Sequence, residues 1–214
     1  MNCCAVSGTN SFFNSQARHY EKYFRKKGLR KEQKYLAEGI QQRGIAQADL
    51  LEIGCGVGGL HLRLLQKGAG RATGFDISER MLASARQLST EMGLAAQTQY
   101  WQGDFVALHD NAPAAEITIL DKVLCCYADV RELIARSTAK TRRIYAVSYP
   151  RDNVFVRNAF RAAILFFKLF RVSFHPFYHS PAEIMKRIMA EGFEQTYERH
   201  TGIWIVQVFQ RKRA

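Results

Sequence analysis

The stretch "DLLEIGCGVGGL", residues 49–60, gathers four of the chain's fifteen glycines directly behind a short apolar run. Apolar residues halted by glycine predict a buried strand, and "GGLHLRLLQKG" after them keeps helical spacing up to Gly68. The unit is strand, glycine loop, helix. It repeats: "RATGFDIS" predicts a second strand and "ERMLASARQLSTEMG" its helix, ended by Gly93. "TQYWQGDF", "AEITILDKV" and "RRIYAVSYP" predict strands three to five. After Gly192, "EQTYERH" and "WIVQVFQR" are separated only by a "TG" turn region, which predicts an antiparallel hairpin. Strands alternating with helices require a parallel sheet covered on both faces. The expected fold is α/β: a Rossmann-like, doubly wound seven-stranded sheet, mostly parallel, with a C-terminal antiparallel hairpin and helices on both faces.

Ahead of the first strand, from about Phe13 to Gly44, helical spacing puts Tyr20, Phe24, Leu36 and Ile40 inward, in two helices broken near Gly28. Residues 1–44 are thus expected to form a helical cap and 45–214 the main domain, with an amphipathic insert at 152–176. Within the insert, "VFVRNAFRAAILFFKLFRVSF" (154–174) places Arg157, Arg161, Lys168 and Arg171 along one side of an otherwise apolar helix. That composition suits a membrane surface, a lid over a hydrophobic substrate, or a buried helix with one wet edge. Further on, "SPAE" predicts a capping box, with Ser180 as N-cap, Pro181 at the first helical position and Glu183 reaching back.

A length of 214 residues with 47% hydrophobic and 23% charged residues fits one globular domain with a full core. The net charge of +12 suggests an acidic partner, and its distribution is informative. Residues 45–145 carry 11 basic against 11 acidic side chains, residues 1–44 carry 9 against 3, and residues 146–214 carry 11 against 5. The surplus lies entirely outside the glycine-rich middle. The run "KYFRKKGLRKEQK", seven basic residues in thirteen, suits a nucleic-acid contact or a solvated face attracted to an anionic membrane, and the second is favoured because no RNA-binding motif accompanies it. Five cysteines in two adjacent pairs and one lone position form neither a disulfide framework nor a metal pattern, so reduced thiols and no metal are expected. The start "MNCCAVSGTN" has no secretory character and no run reaches the roughly 18 apolar residues of a span. A cytoplasmic protein is expected, with contact to a membrane periphery as the variant that the basic segments raise.

Two cofactor patterns overlap in the opening stretch. Gly54, Gly56 and Gly59 fit G-x-G-x-x-G of dinucleotide folds, while Glu52 with Gly54, Gly56 and Gly58 fits E-x-G-x-G-x-G of S-adenosylmethionine (SAM) enzymes. The acid expected about 20 residues on, Asp76 in "GFDIS", serves either one, since both cofactors carry adenosine. Three features favour SAM. Glu52 is awkward beside a pyrophosphate but useful near a cationic amino-acid group; Asp104 in "QGDF" can accept from an adenine amino group, with Phe105 available for ring contact; and some forty residues of helix precede the first strand.

From "LLEIGCGVGG" through "GFDIS" and "GDF" to the final hairpin, residues 45–214 resemble the class I SAM-dependent methyltransferases. The resemblance implies Glu52, Gly54, Cys55 and Gly56 in the loop under the methionine part, Asp76 and Ile77 at ribose and adenine, Met81 near the ring, and Asp104 with Phe105 at the adenine. Asp121, after strand four, is counted with the cofactor residues. "LDKVLCCYADVRELI", "SYPRDN" and the apolar basic insert are similar to the magnesium-protoporphyrin O-methyltransferase branch, which implies a small hydrophobic, anionic acceptor methylated on oxygen. RNA methylation, or non-catalytic SAM or NAD binding, are the alternatives.

Methyl transfer from a sulfonium is an in-line displacement that depends mainly on positioning, with no metal or covalent intermediate. A carboxylate acceptor is already ionised, whereas a phenol or amine needs a base. Candidate acceptor-side groups are Asp121, Lys122, Tyr127 and Asp129 after strand four, and His175 and His179 in "FHPFYHSPAEI". Of these, Tyr127, His175 and His179 are the expected catalytic residues. Cys125 and Cys126 are expected to be small packing residues, since adjacent cysteines make strained disulfides.

Overall fold

The structure is a computed structural model that describes residues 3–169, 174 and 176–212. Helices α1 (Cys3–Lys27) and α2 (Lys31–Gln41) come first, broken at Gly28 as the sequence predicts. α1 begins about ten residues earlier than the periodicity suggests, and Asn14 donates to the Asn10 side chain one turn back at 3.0 Å within that added length. Strand β1 (Asp49–Ile53) leads to α3 (Gly59–Leu65), and β2 (Arg71–Asp76) to α4 (Glu79–Glu91). β3 (Thr98–Gln102) precedes the single turn α5 (Phe105–Leu108), and β4 (Ala115–Asp121) precedes α6 (Val130–Ala139). β5 (Thr141–Pro150) is followed by α7 (Val154–Leu169) and α8 (Pro181–Ala190), then by the hairpin β6 (Phe193–His200) and β7 (Trp204–Arg211).

The strands form one seven-stranded sheet in the order β3-β2-β1-β4-β5-β7-β6, parallel through β5 and antiparallel in its last two pairings. Alternation along each strand sends side chains to opposite faces. Leu50, Ile117, Ile119, Ile144 and Ala146 pack with α2, α3 and α4, whereas Leu51, Ile53, Leu120, Tyr145 and Val147 pack with α5, α6 and α8. The sheet is therefore covered on both faces. Its strand order reverses beside β1, so the carboxyl ends of β1 and β4 diverge there and leave the crevice in which open α/β sheets bind ligands.

α1 is held along α4 by the Arg25–Glu91 ion pair at 2.5 Å and by Ser84 donating to Glu21 at 2.7 Å. Tyr20, Phe24, Leu36 and Ile40 all join the core as expected. Three local expectations need correction. "GDF" is not part of β3: the strand ends at Gln102, and Asp104 instead caps α5 by accepting from the Val106 N–H at 3.0 Å. The helix expected over 154–174 is described from Val154 to Leu169, residues 170–173 lie outside the described residues, and Phe174 is outside any helix. The capping box at Ser180 does not form, because Glu183 pairs with Arg187 one turn later at 2.6 Å.

Candidate active site

The site is built where β1 stops. Gly54 turns the chain with φ 66°, and a Cβ there would sit 2.5 Å from Val123 Cγ2, so the loop and the β4–α6 connection touch through a bare backbone. Gly59 opens α3 against α1: a Cβ on it would meet the Phe24 ring at 2.7 Å. Gly58 supplies the left-handed N-cap of α3 but has no side chain with which to cap it. Glu52 does that work from the neighbouring strand. Its Oε2 accepts from the His61 backbone N–H at 3.3 Å and lies 2.6 Å from His61 Nδ1. The other face of the imidazole, Nε2, is 3.0 Å from the Tyr100 hydroxyl. Glu52 and His61 are both buried. Burial pushes the Glu52 carboxyl up, and the His61 contacts pull against it.

Asp76 ends β2. Its Oδ2 accepts from the Gly56 N–H and its Oδ1 from the Ser78 N–H, each at 2.8 Å. These bonds hold the glycine loop and the start of α4 to one carboxylate. Burial raises the Asp76 carboxyl to about 6, against the pull of those two N–H groups. Ser78 caps α4 by accepting from the Met81 N–H at 3.1 Å. Asn14 on α1 takes the Ser78 hydroxyl proton at 2.7 Å and the Arg80 N–H at 3.1 Å, which anchors the N-terminal helix over this corner. Met81 is buried beneath the loop, its sulfur the nearest atom to a Cβ built on Gly56, and Ile77 is half-buried beside Asp76.

At the ends of β3 and β4, Asp104 accepts from the Tyr127 hydroxyl at 3.1 and 3.2 Å, and Phe105 is buried edge-on to Phe75. Burial and the neighbouring Asp104 push the Tyr127 phenol well above its ordinary value. Asp121 accepts from Ser148 at 2.5 Å and from Gln33 at 2.9 Å, while Lys122, turned into a positive φ of 60°, bridges Asp121 at 3.3 Å and Glu32 at 2.7 Å. The first turn of α2 thus closes over the end of β4. Cys55 is buried, and burial pushes its thiol up. Cys125 and Cys126 are free thiols that both reach the Lys122 carbonyl, at 3.4 and 3.3 Å.

Asp129 caps α6 through the Arg131 and Glu132 N–H groups, which explains it without an acceptor. His179 Nε2 donates to the Tyr127 carbonyl at 2.9 Å, and the Phe177 N–H donates to the Cys125 carbonyl at 2.7 Å. The segment before α8 is thereby laid on the loop after β4. His175 lies outside the described residues.

The strand ends bring Glu52, the glycine loop, Asp76, Asp104, Asp121 and Tyr127 to one edge of the sheet. His61, Tyr100, Asn14, Gln33 and Ser148 were not anticipated. His61 alone carried a signal, a polar residue inside the apolar face of "GGLHLRLL". The Asp76 carboxylate has room for about four hydrogen bonds, and the Gly56, Ser78 and Ile77 N–H groups do not fill it, so acceptor capacity remains for a ribose hydroxyl of a nucleoside. That acceptor fits the adenosine ribose of SAM.

Residues 50–150 match the family model described as "Methyltransferase domain". A search of curated proteins finds no match. Among solved structures, the magnesium protoporphyrin IX methyltransferase from Synechocystis PCC 6803 with bound S-adenosylhomocysteine (SAH) superposes at TM-score 0.74 and 20% identity, over 95% of this chain and 98% of that one. A putative sarcosine dimethylglycine methyltransferase from Galdieria sulphuraria gives 0.67 and 12%, over 84% of each chain. An O-methyltransferase family 2 protein from Planctomyces limnophilus DSM 3776 in complex with apigenin gives 0.62 and 17%, over 87% of this chain and 63% of that one. At these identities the superpositions establish the shared fold.

Proposed function

We propose that the chain, whose residues 50–150 match a methyltransferase-domain model, is a SAM-dependent methyltransferase that methylates a carboxylate oxygen on a small, hydrophobic, anionic acceptor. The carrying observation is the state of Tyr127. Its hydroxyl donates into the Asp104 carboxylate, and its phenol is held protonated by burial beside that acid. A phenol in that state is a poor base. His179, the other described catalytic candidate, has Nε2 committed to the Tyr127 carbonyl. An acceptor that arrives already ionised needs neither group as a base.

When bound, SAM supplies a methyl group on a cationic sulfur. The chain's part is to hold the two reactants in line: the acceptor oxygen gains the methyl group, the S–C bond breaks with its electron pair left on sulfur, and no proton is released. Asp76 is suited to grip the ribose, and the Asp121–Lys122–Glu32 cluster fixes the end of β4 beside the loop. Hydrophobicity of the acceptor is supported by the phenylalanines of the cover. Phe12 stacks on Phe174 at 4.8 Å, and Phe13 and Phe167 meet the same ring edge-on. Asn14 ties this cluster to Ser78 on one side, and the 176–179 segment ties it to the Tyr127 loop on the other. Its anionic character is supported by the positive surplus in residues 1–44 and 146–214, which supply those covering elements.

The test is incubation with SAM and apolar carboxylic acids, tetrapyrrole propionates among them, beside matched phenols and RNA. The expected product gains one methyl group that mild alkali removes as methanol. Alkali-stable methylation of the phenols or of RNA, with the acids untouched, would overturn the reading.

A further inference from the structure

We propose that α7 is a docking surface for an anionic lipid membrane, entered by the outer apolar face of the helix. Among the described side chains of α7, those that pack inside the fold lie on one side: Val156 is buried, and Phe167 faces Phe12 and Phe174 at ring distances of 6.2 and 6.0 Å. At about 100° per residue, Val154, Leu165, Leu169 and Phe155 fall on the opposite side, within an arc of about 100° that also takes in Asn158 and Ala162. They are 63%, 68%, 75% and 78% exposed. Arg157 and Arg161, both exposed, border that arc on one side. Asp152, itself exposed, lies 3.7 Å from Arg157.

An outward apolar face with a basic margin is the arrangement by which a helix lies in a bilayer interface, its apolar residues below the headgroups and its cations among them. Other occupants fit less well. A molecule inside the site would meet the Val156 and Phe167 side, not this one. A second copy would bring the same arginines against each other, and RNA would leave the apolar arc in water. No helix among the described residues is long and apolar enough to cross a membrane, so the contact is a surface one.

Flotation of the full chain with vesicles, without SAM, tests this independently of the acceptor. Binding is expected to phosphatidylcholine vesicles that contain phosphatidylglycerol, and much more weakly to phosphatidylcholine alone. Replacing both arginines (R157A/R161A) is expected to weaken the anionic binding about 30-fold at low salt, since each basic residue at such a surface contributes a factor of about five. L165D/L169D is expected to abolish it at any salt. All four positions are exposed, so thermal melting should match the unaltered chain and exclude misfolding. Failure of the unaltered chain to float with anionic vesicles, or equal flotation of both variants, overturns the proposal. So does a dimer in light scattering that L165D/L169D dissolves, which would make the face an interface between copies. None of these results touches the methyl-transfer reading.

Discussion

Glu52 Oε2 stands 2.6 Å from His61 Nδ1, and the two buried side chains join the end of β1 to the first turn of α3 across the glycine loop. With Glu52 ionised, Nδ1–H donates to it, and Nε2 accepts the Tyr100 hydroxyl proton at 3.0 Å. His61→Ala leaves the buried Glu52 carboxyl with only the backbone N–H of residue 61, a loss of about 1–3 kcal/mol for a buried group stripped of a side-chain hydrogen bond. The expected result is a much lower melting temperature and weaker SAH binding by calorimetry. His61→Gln, which restores one N–H donor, should recover part of both. Tyr100→Phe removes the outer bond and the long contact to the Ala85 carbonyl at 3.4 Å, and should cost about 1 kcal/mol. SAH affinity and stability unchanged in His61→Ala would show that the pair does not organise the loop.

Asp76 gives the site a pH dependence with a definite sign. Its folded-state value of about 6 lies above the ordinary aspartate value of about 3.9. Between those two pH values the folded chain therefore holds more protons than the unfolded one, and this group's contribution to stability falls as pH rises from about 4 to about 6. Cofactor binding runs the opposite way, because ribose hydroxyls donate to the ionised carboxylate. SAH affinity should rise about tenfold from pH 5 to pH 8 and level off above about 7. Asp76→Asn should bind weakly and show a flat profile. A flat profile in the unaltered chain would remove Asp76 from the ribose.

Tyr127 separates positioning from base catalysis. If the acceptor arrives ionised, Tyr127→Phe loses the hydrogen bond to Asp104, typically about 1 kcal/mol, and no proton-transfer step. Steady-state kinetics should then show a KM for SAM raised several-fold with kcat nearly unchanged. A general base is worth about 100-fold or more in rate. A drop of that size in kcat alone, steepest at low pH, would instead make Tyr127 the base.

What could be read from the sequence divides by distance along the chain. The succession of strands and helices, the glycine loop and the acids that follow β2 and β3 are read from apolar runs stopped by glycine, all local patterns. Asn14 is 64 residues from Ser78 and Gln33 is 88 from Asp121, and no periodicity links residues so far apart. Asp104 was found, but its cap on α5 was not, because "GDF" continues an apolar strand pattern until Gly103 takes φ 139°. For α7, composition showed an apolar helix with a basic stripe; which side faces outward depends on Phe12, at the far end of the chain.

Gly54 is the position where loop geometry can be separated from cofactor contact. Alanine there meets two penalties: a φ of 66°, costing about 1–2 kcal/mol for an L-residue, and a Cβ only 2.5 Å from Val123 Cγ2. Gly54→Ala should lower the melting temperature and weaken SAH binding together. Val123→Ala removes the obstructing methyl groups but not the backbone strain. The double variant should therefore lose less than the two single losses added, with a coupling of about 1 kcal/mol or more, as expected for side chains in contact. The strain that remains should still keep SAH affinity below that of Val123→Ala alone. Strict additivity would mean that the loop and the β4–α6 connection move apart freely, and that Val123 does not set the position of the glycine turn.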